Sequence, residues 1–139
     1  MSEADVRAAS DAFYAALNKM ANGDPAPMID MWAKTDAVTA MHPSGGCEVG
    51  WDAVDESFKK FASIASDAKV RITDQRFQVI GDAAYETAVE RGDLKVAGHP
   101  VAFEVRVTNI YRRQNGAWKM VHHHADPSPA LLDAVGKSQ

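Results

Sequence analysis

Three stretches of the chain set ionisable side chains among apolar ones in patterns that could do chemistry. His42 precedes Pro43 at the end of a brief apolar run. An imidazole there can accept or relay a proton near neutral pH without a large pKa shift. A histidine tied to backbone at a strand end would read the same way. In the second stretch, Glu104, Arg106 and Thr108 alternate with Phe103, Val105, Val107 and Asn109, so the two sets occupy opposite faces of an extended strand. Arg106 offers a planar donor fork for a carboxylate or similar anion, with Glu104 as an internal counter-ion. The competing reading is an Arg–Glu pair on a solvated or dimer face, and strand period alone does not choose. The apolar odd positions favour that second reading.

The third stretch is His122-His123-His124. At i,i+2, His122 and His124 share a face with Trp118 and Met120, opposite Lys119, Val121 and His123. Both could serve one site as general acid and base. A zinc or iron site needs at least a third ligand, and no spacing here requires one. No metal and no cofactor are therefore expected. Trp32, Trp51, Trp118, Tyr14, Phe58 and Phe61 are most simply core residues. Of these, Tyr14 and the three tryptophans are candidates to wall a ligand pocket, together with Glu104 and Thr108. Cys47 is the single cysteine, which excludes an intrachain disulfide and suits a reducing compartment. No phosphate loop, nucleophile elbow or dinucleotide fingerprint is present.

The elements that must position these groups follow from periodicity and turn chemistry. Ser2 with Asp5 reads as a capping pair, and Val6, Ala9, Phe13, Ala16, Leu17 and Met20 recur at helical spacing. Asn22-Gly23-Asp24-Pro25 ends that helix. A short helix begins near Pro27. Ala37 to His42 is a brief strand. Trp51, Val54, Phe58, Phe61 and Ile64 mark a third helix with Asp52, Asp55, Glu56, Lys59 and Lys60 on its wet side. Extended structure then runs from Lys69 to Ile80, Ala83 to Arg91, Val101 to Arg113 and Ala117 to Asp126. The last two strands are joined by Gln114-Asn115-Gly116, a strong hairpin signal. Residues 128–139 read as a tail carrying a short helix at Ala130 to Val135 and fraying at its end. Helices first and a meander of strands after them predict an α+β fold with helices on one face of an antiparallel sheet.

With 139 residues and 46% apolar content, the chain suits one domain with a real core, ordered over about 3–127. A net charge of −4 argues against a dedicated nucleic-acid binder. No apolar run approaches the roughly 18 residues of a membrane span. No signal peptide is visible, so a cytoplasmic location is expected.

Three strings carry a resemblance: FYAALNKMANGD, AVTAMHPSGGCEVGWDAVDESF and RVTNIYRRQNGAWKMVHHHAD. Together they resemble the SnoaL-like branch of the nuclear transport factor 2-like (ketosteroid isomerase-like) superfamily. The resemblance implies a cone-shaped α+β barrel, with three helices on a strongly curved, mostly antiparallel sheet, and a homodimer formed through the open sheet face. The ketosteroid isomerase pattern itself is incomplete. Its base position falls on His42, its oxyanion tyrosine position on Phe13 with Tyr14 one residue off, and the stretch from Thr108 to Ile110 holds no carboxylate. The expectation is a small-molecule-binding protein. As an enzyme it would run cofactor-independent isomerisation, cyclisation or dehydration of a carbonyl-containing substrate. His42 would be the base, and His122 or His124 with Arg106 would stabilise developing negative charge. The alternative is a non-catalytic dimeric ligand-binding or interaction module.

Overall fold

A computed structural model describes residues 2–138. Helix α1 spans Glu3–Met20, and the backbone N–H of Ser2 donates to Asp5 Oδ2 at 3.2 Å, as the capping pair predicts. Its buried face carries Val6, Ser10, Phe13, Tyr14 and Leu17. A single turn, α2 (Ala26–Ile29), follows. Strands β1 (Thr39–His42) and β2 (Gly45–Val49) form a small hairpin. Helix α3 (Trp51–Ala62) buries Val54, Phe58 and Ala62. The long strands β3 (Ala65–Ile80), β4 (Ala83–Val96), β5 (His99–Gln114) and β6 (Ala117–Ala125) complete the sheet. Helix α4 (Pro129–Lys137) closes the chain, capped by Ser128, whose Oγ accepts from the Leu131 N–H.

The sheet has six strands in the order β2-β1-β6-β5-β4-β3. β1 runs parallel to β6, and all other neighbours are antiparallel. The sheet ends in two edges and does not close, so the expected barrel is a cone-shaped open sheet. Two bulges in β3 place Asp67 and Asp74 at φ of 51° and 57°, a left-handed conformation that Asp tolerates better than most residues. The β5–β6 turn is Asn115-Gly116 with both φ positive, as a tight hairpin needs. At the β3 edge, the side-chain amides of Asn18 and Asn22 mimic a neighbouring strand. Each donates to and accepts from a β3 backbone group, at Val70 and Ala68 respectively. This satisfies edge groups that would otherwise be free to pair with another chain.

The core lies between the helices and the inner face of the sheet. β4 turns Ala84, Glu86, Ala88, Glu90, Leu94 and Val96 inward. Opposite them in register stand the odd positions of β5, including Val105, Val107, Asn109 and Tyr111. Two glutamates thus lie in the core layer. The segment after 127 is no loose tail, because α4 buries Leu131 and Ala134. Among the described residues no helix is long and apolar enough to cross a membrane.

Candidate functional site

A cavity of about 570 Å³ opens between α1, α3, α4 and the inner sheet face. Phe58, Phe61, Leu94, Phe103 and Leu131 supply apolar walls, and the exposed Glu56 and Lys60 stand where it meets solvent. Gly92 makes room for one wall. A Cβ there would come within 2.6 Å of the Phe103 ring, its partner in register. The buried end holds three ionisable side chains: His42, Glu90 and His123. Such a lining, mostly apolar with a few convergent polar groups, is the usual form of a small-molecule site.

Glu90 is 2% exposed and Glu86 is fully buried. Glu86 Oε1 accepts from the hydroxyls of Ser10 and Tyr111 and from Asn109 Nδ2, at 2.9, 2.9 and 3.1 Å. Its Oε2 accepts from Gln75 Nε2 at 2.9 Å. Glu90 is far less well supplied. Among the described residues its Oε2 accepts one hydrogen bond, from the Tyr14 hydroxyl at 2.8 Å, and the histidine beside it, His123, approaches only to 3.7 Å through Nε2. Burial pushes the Glu90 carboxyl up to about 7. The Tyr14 hydrogen bond pulls in the other direction, and the charge of Glu86 adds to the rise. Burial, with the charge of Glu90 next, also holds the Tyr14 phenol well above its ordinary range.

The hydrogen-bond roles assign the histidine tautomers. Asn109 Nδ2 donates to Glu86 Oε1 and to the Tyr14 oxygen at 3.0 Å, so its Oδ1 points at His123 Nδ1, 2.5 Å away. His123 must therefore carry its proton on Nδ1, which leaves Nε2 a bare acceptor. Ser57 Oγ donates to the Val54 carbonyl at 2.6 Å, so it can only accept from His42 Nε2 at 2.9 Å. His42 then presents Nδ1 as its bare acceptor. Burial lowers His42 to about 4. It lowers His123 to about 3, and the neighbouring histidines add to that depression. Both rings are neutral at physiological pH.

His42 and Tyr14 reach this site, one lining the cavity and the other holding Glu90. Other expected residues lie elsewhere. Trp32 is 1% exposed, packed against Phe13, Trp51 and Phe58, and Trp118 is also buried. None of the three tryptophans lines the cavity. The expected inward placement of His122 and His124 is corrected by a bulge. Ile110 pairs with His122, but Tyr111 pairs with Met120, so Val121 is an extra residue on β6. The extra residue shifts the strand phase by one. Trp118, Met120, His123 and Ala125 are buried on the inner face, and His122 and His124 fall on the outer one.

The even positions of β5 point outward by simple strand alternation, since the odd ones are buried. Arg106 is 84% exposed and pairs with Asp126 at 2.6 Å. Glu104 pairs with Arg91 on the surface, and Thr108 lies in register with Thr87 and His124. His122 Nδ1 meets Thr39 Oγ1 at 2.5 Å. Among the described residues no three His, Cys, Asp or Glu side chains are grouped to hold a metal ion.

Glu86, Glu90, Asn109 and His123 are the site residues that sequence reasoning missed. One signal was available. Ser10, Tyr14 and Asn18 recur every four residues along the otherwise apolar side of α1, and Asn22 continues the spacing just past its end, a polar row that must find partners in the sheet.

Known proteins share this fold. A family model described as a SnoaL-like domain matches residues 6–129. A candidate dehydratase of the NTF2-like family from Streptomyces avermitilis is 26% identical, with 91% of this chain and 96% of that chain covered at a TM-score of 0.77. A candidate calcium/calmodulin-dependent protein kinase type II association domain from Thiobacillus denitrificans is 27% identical, with 88% and 94% covered at a TM-score of 0.66. The F-box protein SKIP8 of Arabidopsis thaliana is 29% identical over 106 residues, which are 76% of this chain but 42% of that protein. The chain thus spans less than half the length of this plant relative. Its open cone of sheet, its helix order and the match over residues 6–129 together establish that the chain belongs to the SnoaL-like domain family, within the NTF2-like superfamily.

Proposed function

We propose that the protein is a cofactor-independent acid–base enzyme acting on a small, mostly apolar, carbonyl-containing molecule, with Glu90 as the proton-transferring group. The observation that carries this reading is Glu90 itself. It is a buried carboxyl without a cationic partner at the closed end of an apolar cavity, held near neutrality by burial. A group with a pKa near the working pH gives and takes protons with the least penalty. Tyr14 orients it through one oxygen and leaves the other with no donor among the described residues. His42 no longer serves as the base in this reading, because its burial makes it a poor proton acceptor at neutral pH. It stays as a hydrogen-bond acceptor. The similarity to a candidate dehydratase supports the reaction class.

The test is proton exchange at carbon. β-Tetralone in D₂O should exchange its α-protons faster with the protein present, at a rate that climbs as pH passes through the region where Glu90 ionises. Glu90→Gln should lose at least ~100-fold of that acceleration while still binding the ketone. Equal exchange with both proteins would refute the assignment.

A second reading, a non-catalytic association module, is favoured by the similarity to the kinase association domain. Either role suits assembly through the outer sheet face, where Ile80 and Tyr85 are 64% and 42% exposed. Light scattering should show a dimer that Tyr85→Glu weakens.

A further inference from the structure

The hydrogen-bond roles at the closed end of the cavity specify which polar group a ligand must bring there. Two bare acceptors, His123 Nε2 and His42 Nδ1, belong to rings 6.4 Å apart. Among the described residues Glu90 Oε1 has no hydrogen-bond partner, and Oε2 is engaged by Tyr14, so a proton taken up by Glu90 sits on Oε1. The closed end therefore offers one proton that can be donated and two lone pairs that can only accept.

A carboxylate or phosphate finds no cation there, and its oxygens would face the two imidazole lone pairs. A carbonyl or ether oxygen can accept from Glu90 but leaves the histidine acceptors dry and unpaired, which costs about as much as a lost hydrogen bond. A hydroxyl satisfies both sides with one atom, since it accepts from Glu90 and donates to a histidine nitrogen. The mouth adds Glu48 and Glu56 against one cation, Lys60, and so does not attract anions.

We infer that the ligand is an uncharged, largely apolar molecule that seats a hydroxyl at the closed end, against Glu90, His123 and His42. This deepens the proton-transfer reading, and rests on it for the identity of the site. The substrate class becomes a hydroxy-carbonyl compound whose hydroxyl lies innermost. Asn109 is the positioning residue behind this selectivity. Held by Glu86, it keeps the proton of His123 on Nδ1 and the acceptor face toward the ligand.

Four probes on one apolar frame test the inference by calorimetry on the wild-type protein: β-naphthol, its methyl ether, β-naphthoate and β-naphthylmethylammonium. β-Naphthol should bind at least about tenfold tighter than the ether, and the carboxylate should bind weakest. In ¹⁵N spectra, β-naphthol should shift an acceptor nitrogen of His123 or His42, and the ether should shift neither. An ether or carboxylate that binds as tightly as the naphthol, an ammonium that binds tighter, or unshifted histidine nitrogens on naphthol binding would each overturn the hydroxyl assignment. Failure of all four to bind would instead overturn the underlying reading of the cavity as a site for apolar small molecules.

Discussion

Two glutamates four residues apart on one strand show how local hydrogen bonding separates chemical roles. Glu86 has donors around both oxygens, and Glu90 has Tyr14 alone. The Tyr14 hydrogen bond lowers the Glu90 pKa against the upward push of burial. Tyr14→Phe should therefore move the Glu90 midpoint further above 7, as followed by carboxyl ¹³C shifts; an unchanged or lower midpoint would contradict the assigned contact. The same change costs about 1 kcal/mol of stability, because Asn109 also loses an acceptor. None of this was legible in the strand's own pattern. Between Ala83 and Arg91 the bulky apolar residues Tyr85 and Val89 share one parity with Thr87, and the glutamates share the other. Alternation read alone turns the glutamates to solvent. They face inward because Ser10 and Tyr14, each 76 residues earlier on α1, supply their partners.

At the scale of the element, one inserted residue decides which histidine faces the cavity. Period two groups His122 with His124, and the Val121 bulge leaves that grouping intact but exchanges its face. Sequence periodicity cannot report a bulge that is set by how β5 pairs. Gly92 is the complementary case, a strand residue present for what it lacks. Gly92→Ala should push Phe103 aside and destabilise the fold by about 1–3 kcal/mol in urea titration. Stability within experimental error of wild type would mean that Phe103 has other room. Helix α4 was expected as a short piece of tail, yet Leu131 lines the cavity and is 2% exposed. Leu131→Ala should cost about 2–4 kcal/mol and weaken β-naphthol binding, since it removes both core packing and a cavity wall.

Across the whole molecule, the buried titrating groups make stability depend on pH in opposing ways. His42 and His123 fall from the ordinary 6.5 to about 4 and about 3 in the fold. Their contribution is complete above pH 6.5 and is lost as pH falls toward those values, because the unfolded chain takes up protons first. Glu90 rises from 4.5 to about 7, so its contribution is complete below pH 4.5 and is lost as pH climbs through 7. Glu90→Gln should thus be more stable than wild type at pH 8, by ~3 kcal/mol for a shift of that size, with the advantage gone below pH 4.5. Denaturation midpoints at the two pH values check this, and a constant difference would exclude a buried carboxyl that ionises near neutrality. The sequence by itself determined the helix order, the four long strands, the Asn115-Gly116 hairpin and the family, because caps, turns and periodicity are local properties of adjacent residues. Only the tertiary structure decided which strand faces look into the cavity, that His123 rather than His122 or His124 stands there, and that Glu90 is the acid at its end. Those outcomes depend on a bulge and on hydrogen-bond partners contributed by distant segments, and they exist only once helix and sheet have packed.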